Sequence, residues 1–382
     1  LEASRTLGRG PFGTLYFVVL PLARPALMAA TMLVIMETAA DFGTVDYFAV
    51  DTLATGVYRT WFGLDSPTAA SQLASLLLAI VFVLFVLETA ARRQRRFHDT
   101  SRRTGSAART SLGPVAGIAA SGVCVVPIFI GFVAPGAWLA VLAIRHGDSR
   151  AMELFASHGT NSFVLAALSA IAAVVLGLLV VFAWRQRGGI GPRITMDLCR
   201  AGYAIPGPVI AIGVLAGLGF ADRRLNEAWA AAGGAEPLGL IFTGSVIALL
   251  VGYQTRFLAV AVSLIESGYS RVHRNMDAAA RLLSARPTGV LLRVHVPALR
   301  GTLLAAGLVV FVDVVKELPA TLMLRPYNVE TLAVRVYQLA SDERLNEAAT
   351  GALAIVIVGM LPVVLLARGI DRERRSMEET GT

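Results

Sequence analysis

Residues Met276–Arg300 read MDAAARLLSARPTGVLLRVHVPALR, and residues 1–24 read LEASRTLGRGPFGTLYFVVLPLAR. Set 276 positions apart, the two stretches align without a gap. Ala3 meets Ala279, Arg5 meets Arg281 and Leu7 meets Leu283. Pro11, Gly13, Leu15, Val18, Pro21 and Arg24 meet Pro287, Gly289, Leu291, Val294, Pro297 and Arg300. A repeat of this length signals duplicated architecture. Each copy predicts a short Ala-rich helix, a turn, and Pro11 or Pro287 in the first turn of a second, apolar helix. Pro21 or Pro297 is expected to break that second helix. Two short helices at an angle make a compact knob beside a membrane, shaped to fit a partner.

The rest of the chain supplies the membrane. Its 382 residues are 55% hydrophobic and 16% charged, and the mean hydropathy is +0.66. This is the composition of a polytopic, all-α membrane protein rather than a soluble domain. The net charge of +8 would suit nucleic acid, but the Arg clusters fall between apolar stretches, so no nucleic-acid partner is expected. Cys124 and Cys199 lie in or beside apolar stretches and offer neither metal-ligand spacing nor a disulfide framework. No signal peptide is visible, and the chain begins inside a motif, so its start reads as a truncation.

A span needs about 20 apolar residues. Eight are expected, at 26–48, 68–90, 114–142, 161–184, 198–220, 238–255, 299–323 and 348–368. Alternating the sides leaves 25 Arg on the side of both knobs and the C-terminus, including Arg24, Arg200, Arg256, Arg300 and Arg368 at span edges, against 8 on the other. Positive loops stay in the cytoplasm, so the knobs, the Arg-rich linker 91–113 and the C-terminus are expected there. The linker carries seven Arg within 92–109. It reads as a solvated connector, in preference to a lipid-headgroup or partner patch. It divides a first half, 1–90, from a second, 114–369, with a tail at 370–382.

The repeat continues beyond the knobs. Glu37 aligns with Asp313 and Asp41 with Glu317, still at an offset of 276. Thr52-Leu53-Ala54 and Val57-Tyr58 match Thr331-Leu332-Ala333 and Val336-Tyr337 at an offset of 279. The first half holds two spans and the second six, so symmetry predicts about four absent N-terminal spans and an inactive isolated chain.

Glu2-Ala3-Ser4, then Gly8 after three residues, then Val18-Val19-Leu20-Pro21 resembles the "EAA" loop of ABC-importer permeases. In that family the loop docks on a cytoplasmic ATPase. The second copy departs from it, with Ala278 in place of the Glu, Asp277 one position early, and Ser284 in place of the Gly. The resemblance implies a type I ABC-importer transmembrane fold and coupling residues at Glu2, Ala3, Arg5, Gly8, Pro21, Asp277, Ala279, Arg281, Gly289 and Pro297. Glu2, Arg5, Asp277 and Arg281 are the expected polar contacts; helix capping and headgroup contact are the plainer roles for them.

Acids inside a span are costly and point to function. Four positions separate Glu37 from Asp41, and Asp313 from Glu317, so each pair is expected on one helix face. They either line a central path for a cation or hold the packing through Lys316, the one lysine of the chain. Gly43 and Pro319 predict helix ends, with irregular backbone that must line a cavity or lie within protein. Tyr203-Ala204-Ile205-Pro206-Gly207-Pro208 interrupts a span and reads as a kink that also shapes the path. Lys316 sits in VVKELPA, not in a Gly-rich Lys-Ser/Thr loop, so ATP cannot be held by that device. His98, His146, His158, His273 and His295 show no ligand spacing. No catalytic site, metal centre or cofactor is expected on this chain.

Thr38–Phe48, Tyr58–Gly63, Phe311–Thr321 and Leu324–Asn328 resemble the fused, two-half permeases of ferric-iron ABC importers, as does Ala340–Arg344. Thiamine, polyamine and phosphonate permeases share the architecture. The resemblance implies an inner-membrane subunit served by a periplasmic binding protein, an ATPase pair holding the ATP, and contact with lipid. Ferric ion prefers hard oxygen donors, and Asp41, Asp46, Tyr47, Asp313 and Glu317 offer them, though a permease needs no tight site. A gradient-driven secondary carrier also suits duplicated halves with buried acids, but it needs no ATPase dock. The acids repeated in both halves weigh against a membrane scaffold.

Overall fold

The computed structural model describes residues 4, 8, 10–93, 113–146, 149–270, 272–282 and 286–380. Every regular element among them is helical. The first repeat runs from Pro11–Thr14 through a π-helical turn, Leu15–Val19, into α1 (Leu20–Ala40). It continues with α2 (Gly43–Tyr47), α3 (Leu53–Phe62) and α4 (Pro67–Arg93). Pro114–Ile128, a second π turn at Phe129–Val133, and α5 (Ala134–His146) follow. Next come α6 (Ser149–Arg187), α7 (Ile190–Ala201), a 3-10 turn at Gly202–Ala204, α8 (Gly207–Ala231) and α9 (Val246–Tyr269). The second repeat is α10 (Arg274–Leu282), Pro287–Val290, a third π turn at Leu291–His295, and α11 (Val296–Val315). It ends with α12 (Pro319–Leu324), α13 (Leu332–Ser341) and α14 (Leu345–Thr380).

The duplication is visible in three dimensions. The π turns, the starts of α1 and α11, and the starts of α2 and α12 keep the offset of 276. Helices α3 and α13 are both ten residues long, and Thr52 and Thr331 cap them by accepting from Thr55 N and Val334 N. A Thr N-cap supplies one of the acceptors that the first turn lacks.

Pro21 and Pro297 do not break their helices, contrary to the sequence expectation. Residues Pro287–Val315 form one helix. The reason is the π turn: Val296 N donates to Leu291 O and Leu20 N to Leu15 O, five residues back. A proline lacks the N–H and its ring crowds the carbonyl four residues back. Shifting the ladder by one residue just before the ring removes that conflict. Pro135 follows the second π turn, Phe129–Val133, in the same way, after Ala134 N bonds to Phe129 O. The first copy does bend, by 62° between Phe12–Arg24 and Ala26–Ala40. Pro25 stands at that break, where the second copy has Gly301; prolines are a common cause of sharp kinks.

Five helices among the described residues are long and apolar enough to cross a membrane: Pro67–Leu87, Pro114–His146, Ser157–Gln186, Val246–Tyr269 and Pro287–Val315. The bent pair makes a sixth, and Leu345–Met360 is a shorter apolar helix. The expected eight are not all reached. The stretch 198–220 is split into α7, the 3-10 turn and α8 around Pro206, and the span expected at 238–255 moves to Val246–Tyr269.

Helices α6, α9 and α11 pack on one another as the centre of the second half. Small residues contribute to these contacts, with Ala166, Ala170 and Ala173 of α6 and Ala261 of α9 buried beside larger side chains such as Ile265 and Leu299. Lipid tails are as apolar as Leu, so close backbone approach rather than hydrophobic exclusion holds such helices together. Asp222, buried in α8, ties down the loop before α9: it accepts from Ile241 N, Phe242 N, Thr243 N and Thr243 Oγ1 at 2.7–3.1 Å. The tightest approach is at Gly202, where an added Cβ would lie 2.0 Å from Thr255 O. Gly202→Ala is therefore expected to destabilise the protein by about 1–3 kcal/mol through overpacking. Gly213→Ala, which meets nothing within 4 Å, should leave thermal unfolding in detergent unchanged.

Candidate functional site

Both repeats interrupt a long helix and restart it at once. Helix α1 stops at Ala40, Asp41 is extended, and α2 begins at Gly43. Helix α11 stops at Val315, and α12 begins at Pro319. The first N–H groups of a helix have no partner within it. Glu317 supplies one: Oε1 accepts from Ala320 N at 3.0 Å and Oε2 from Thr321 N at 2.9 Å. Asp41 holds the matching place, with Oδ1 3.5 Å from Thr44 N. The expectation that each acid pair shares one helix face is thus corrected, since the helices end before Asp41 and Glu317.

The four acids nevertheless meet. Glu37, Asp41, Asp313 and Glu317 all line one cavity of about 650 Å³, together with Phe42, Gly43, Tyr203, Arg256, Lys316 and Pro319. Its walls come from both repeats and from the break between α7 and α8, so the Tyr203–Pro208 interruption does shape the cavity. The two acid pairs are unequal. Asp313 is buried and bonds Lys316 Nζ at 2.9 Å. Glu317 lies 3.5 Å from Arg256 Nη1. Glu37 is exposed and shares the cavity wall with Tyr203. Among the described residues, no cluster of three His, Cys, Asp or Glu could hold a metal ion.

Beyond the cavity, away from the knobs, Asp46 accepts from Tyr337 Oη at 2.7 Å and lies 3.3 Å from Arg59 Nη2. Burial first, then Asp46, pushes the phenols of Tyr58 and Tyr337 above their ordinary value. Both therefore stay protonated around neutrality. Tyr47 is exposed and meets Phe48 edge-to-face, with ring centroids 5.3 Å apart.

Of the knob residues, Glu2, Ala3 and Arg5 lie outside the described residues. Gly8 sits in a turn at φ +75° with open space where a Cβ would be, a backbone that favours glycine. Ser4 and Thr14 share a 3.0 Å hydrogen bond between the two knob helices. Their counterparts, Ala280 and Val290, are buried apolar residues, so the same junction is made in two chemistries. Ala279 and Arg281 lie in α10, Gly289 faces open space, and Pro21 and Pro297 follow the π turns.

Asp277 is not free for a polar contact outside the chain. It is buried, with Oδ2 2.7 Å from Arg185 Nε and Oδ1 2.6 Å from His295 Nε2. His295, wholly buried in the third π turn, reaches Tyr269 Oη at 2.8 Å through Nδ1. Arg185 also donates to the carbonyls of Tyr269 and Val272. The second knob is thereby fixed to α6, α9 and the start of α11. Burial works to raise the Asp277 carboxyl, but the bonds from Arg185 and His295 outweigh it and hold it below the ordinary carboxylate range.

Residues 173–376, just over half of the chain, match the family described as binding-protein-dependent transport system inner membrane component. The chain belongs to that family. It is a multi-pass permease subunit of an ABC importer, a transport protein rather than an enzyme. Over 377 residues it is 23% identical to the Fe(3+)-transport system permease protein FbpB 2 of Haemophilus influenzae, covering 96% of this chain and 70% of that protein. It is 23% identical to the ferric transport system permease protein FbpB of Actinobacillus pleuropneumoniae, covering 95% of this chain and 53% of that one. The permease thus spans about half the length of that second relative. Among solved structures, a bacterial alginate ABC transporter in complex with alginate pentasaccharide-bound periplasmic protein aligns with a TM-score of 0.51 at 12% identity. That alignment covers 65% of this chain and 91% of the other. A second alginate importer structure gives 0.50, over 68% and 94%.

Two site residues of the permease escaped the sequence. Arg256 was expected at a span edge; it lies mid-way along α9 and lines the cavity. The signal was an Arg set within an uninterrupted apolar helix, in VGYQTRFLAVAV. His295 carried no ligand spacing, because its partners Asp277, Arg185 and Tyr269 are brought together only by packing.

Glu317→Ala is expected to cost about 1–3 kcal/mol by stranding the α12 N–H groups, and Lys316→Met a comparable amount, about 1–3 kcal/mol, because the buried Asp313 carboxylate loses its cation. Thermal unfolding in detergent compares the two. Asp277→Asn should cost about 3 kcal/mol and expose α10 to trypsin at neutral pH. Because the folded carboxyl sits below its unfolded value of about 3.9, the wild-type contribution is complete above that pH. It is lost as pH falls through the lower folded value.

Proposed function

We propose that this permease moves ferric iron into the cytoplasm, receiving it from a periplasmic binding protein and coupled to a cytoplasmic ATPase pair that holds the ATP. The observation that carries the reading is the cavity: four carboxylates from two repeats converge on it inside an apolar protein. A cation crossing an apolar layer faces a large desolvation barrier, and fixed negative charge with broken-helix backbone lowers it. Asp313 and Glu317 have cationic partners in Lys316 and Arg256. Glu37 and Asp41 therefore form the wall that meets the cargo. Iron here is cargo, so the cavity need only let it pass. The ferric relatives support the same cargo, and the excess of Arg on the knob side supports a cytoplasmic C-terminus. No cofactor is assigned to the chain itself.

The knobs supply the coupling. Opening and closing of the ATPase pair would tilt the halves and expose the cavity to either side in turn. The second knob, fixed by Asp277, Arg185 and His295, passes motion to three helices together.

Two measurements test this. Pull-down from detergent should bring an ATPase with the wild type and lose it in Gly8→Asp plus Gly289→Asp. Radiolabelled ferric iron, supplied on the binding protein to vesicles, should enter only with ATP and fall at least tenfold in Glu37→Gln plus Asp41→Asn. Uptake driven by an ion gradient without ATP would establish the secondary carrier instead. ATP-driven uptake of thiamine, a polyamine or a phosphonate, but not of iron, would move the cargo to that class.

A further inference from the structure

Helices α1 and α11 run from the knobs to the acid cavity, and about 20 residues of helix span roughly 30 Å. Beyond their ends, the two halves also meet around one aromatic ring. Phe42, 1% exposed, sits at the break after α1, with ring centroids 4.7 Å from Tyr58 and 5.5 Å from Tyr337. Tyr58 and Tyr337 occupy equivalent positions in the two repeats. One ring from each half thus flanks a single Phe that also lines the cavity. On the same side, Tyr337 of α13 donates to Asp46 of α2 at 2.7 Å, and Arg59 of α3 meets the other Asp46 oxygen. The breaks themselves touch, since a Cβ on Gly43 would lie 3.0 Å from Leu318 Cδ2.

We infer that the Tyr337–Asp46 hydrogen bond is a latch that holds the two halves shut over Phe42, sealing the cavity at the end far from the knobs, and that cargo enters only when it parts. Asp46 is thereby a gating residue rather than an iron ligand, its two oxygens being occupied by Tyr337 and Arg59. The arrangement is separable by design: one neutral hydroxyl and one carboxylate cross the seam, while Arg59 stays with Asp46 in the first half. Parting the halves leaves Asp46 still paired, so the open state strands no charge. This inference rests on the transport reading, but the labelling arm of its test needs neither iron nor ATPase.

The test places one cysteine in the cavity, Thr38→Cys, in the protein with Cys124 and Cys199 replaced by Ala. Reconstituted in liposomes, it meets a membrane-impermeant maleimide on the latch side alone. Labelling should be slow in this background and roughly tenfold faster in Tyr337→Phe, which keeps the ring against Phe42 and removes only the hydroxyl. Asp46→Asn should act in the same direction. Unfolding midpoints within a few degrees of the parent confirm that the variants are folded. In a separate cysteine-less protein, Asp46→Cys plus Tyr337→Cys bridged by a short bis-maleimide should stop uptake, while either single variant treated alike should not be stopped by the reagent. Unchanged labelling in folded Tyr337→Phe, or full uptake by the bridged protein, overturns the latch. Faster labelling in Phe42→Leu alone, with Tyr337→Phe unchanged, also overturns it and leaves ring packing as the seal. Wild type that carries no iron would sink the transport proposal without altering the labelling result.

Discussion

A helix that stops inside an apolar layer leaves the next helix with N–H groups that water cannot reach. Most of this architecture follows from meeting that demand twice. Glu317 answers it with both carboxylate oxygens at the start of α12, and Asp41 holds the matching place before α2. A carboxylate so used is itself a charge in an apolar setting, and it draws in Arg256 from the middle of α9. The polar centre is thus a chain of consequences: broken helix, capping acid, balancing cation, and the room these leave between them. The cavity exists because the helices are broken, and the acids are there first as structure.

The knob end obeys a different rule. There the helix must not break, although a proline stands in it. The π turn solves that by moving the ladder one residue, and in the second copy the widened turn also carries His295 inward to Asp277. The turn that accommodates the proline thus also supplies His295 to the buried polar network. The first copy has Val19 at the equivalent position, so its knob has the backbone device without that network. The two halves therefore share a frame but differ in how firmly one knob is held.

The frame was legible because it is written as a repeat at fixed offset. The acid positions, the matched segments that begin at Thr52 and Thr331, and the break near Tyr203 could all be placed from the letters alone. Pro297 was misread because local propensity says that proline ends a helix, and only the longer-range ladder shows how it continues. The span expected at 198–220 was misread because hydropathy averages across Pro206, where the chain actually stops and turns. Arg256 was displaced by the rule that puts Arg at span edges, a rule that fails where an acid waits inside. Asp277 and His295 are 18 residues apart and Arg185 is a further 92 away, so nothing short of the packed structure joins them.

The step in the repeat offset from 276 to 279 falls between Glu317 and Thr331. Everything before it keeps register across two breaks and a π turn, and everything after it keeps register again through α13. The extra length is taken up partly in α12, one residue longer than α2, and partly in the connection to α13. There Arg325 pairs with Glu330 at 3.6 Å across the longer loop. Between the π turns and the end of α13, the change in length is confined to this one segment. Its neighbours are locked in length by carboxylates and caps that must arrive at fixed positions, which makes this loop the natural place for the two halves to diverge.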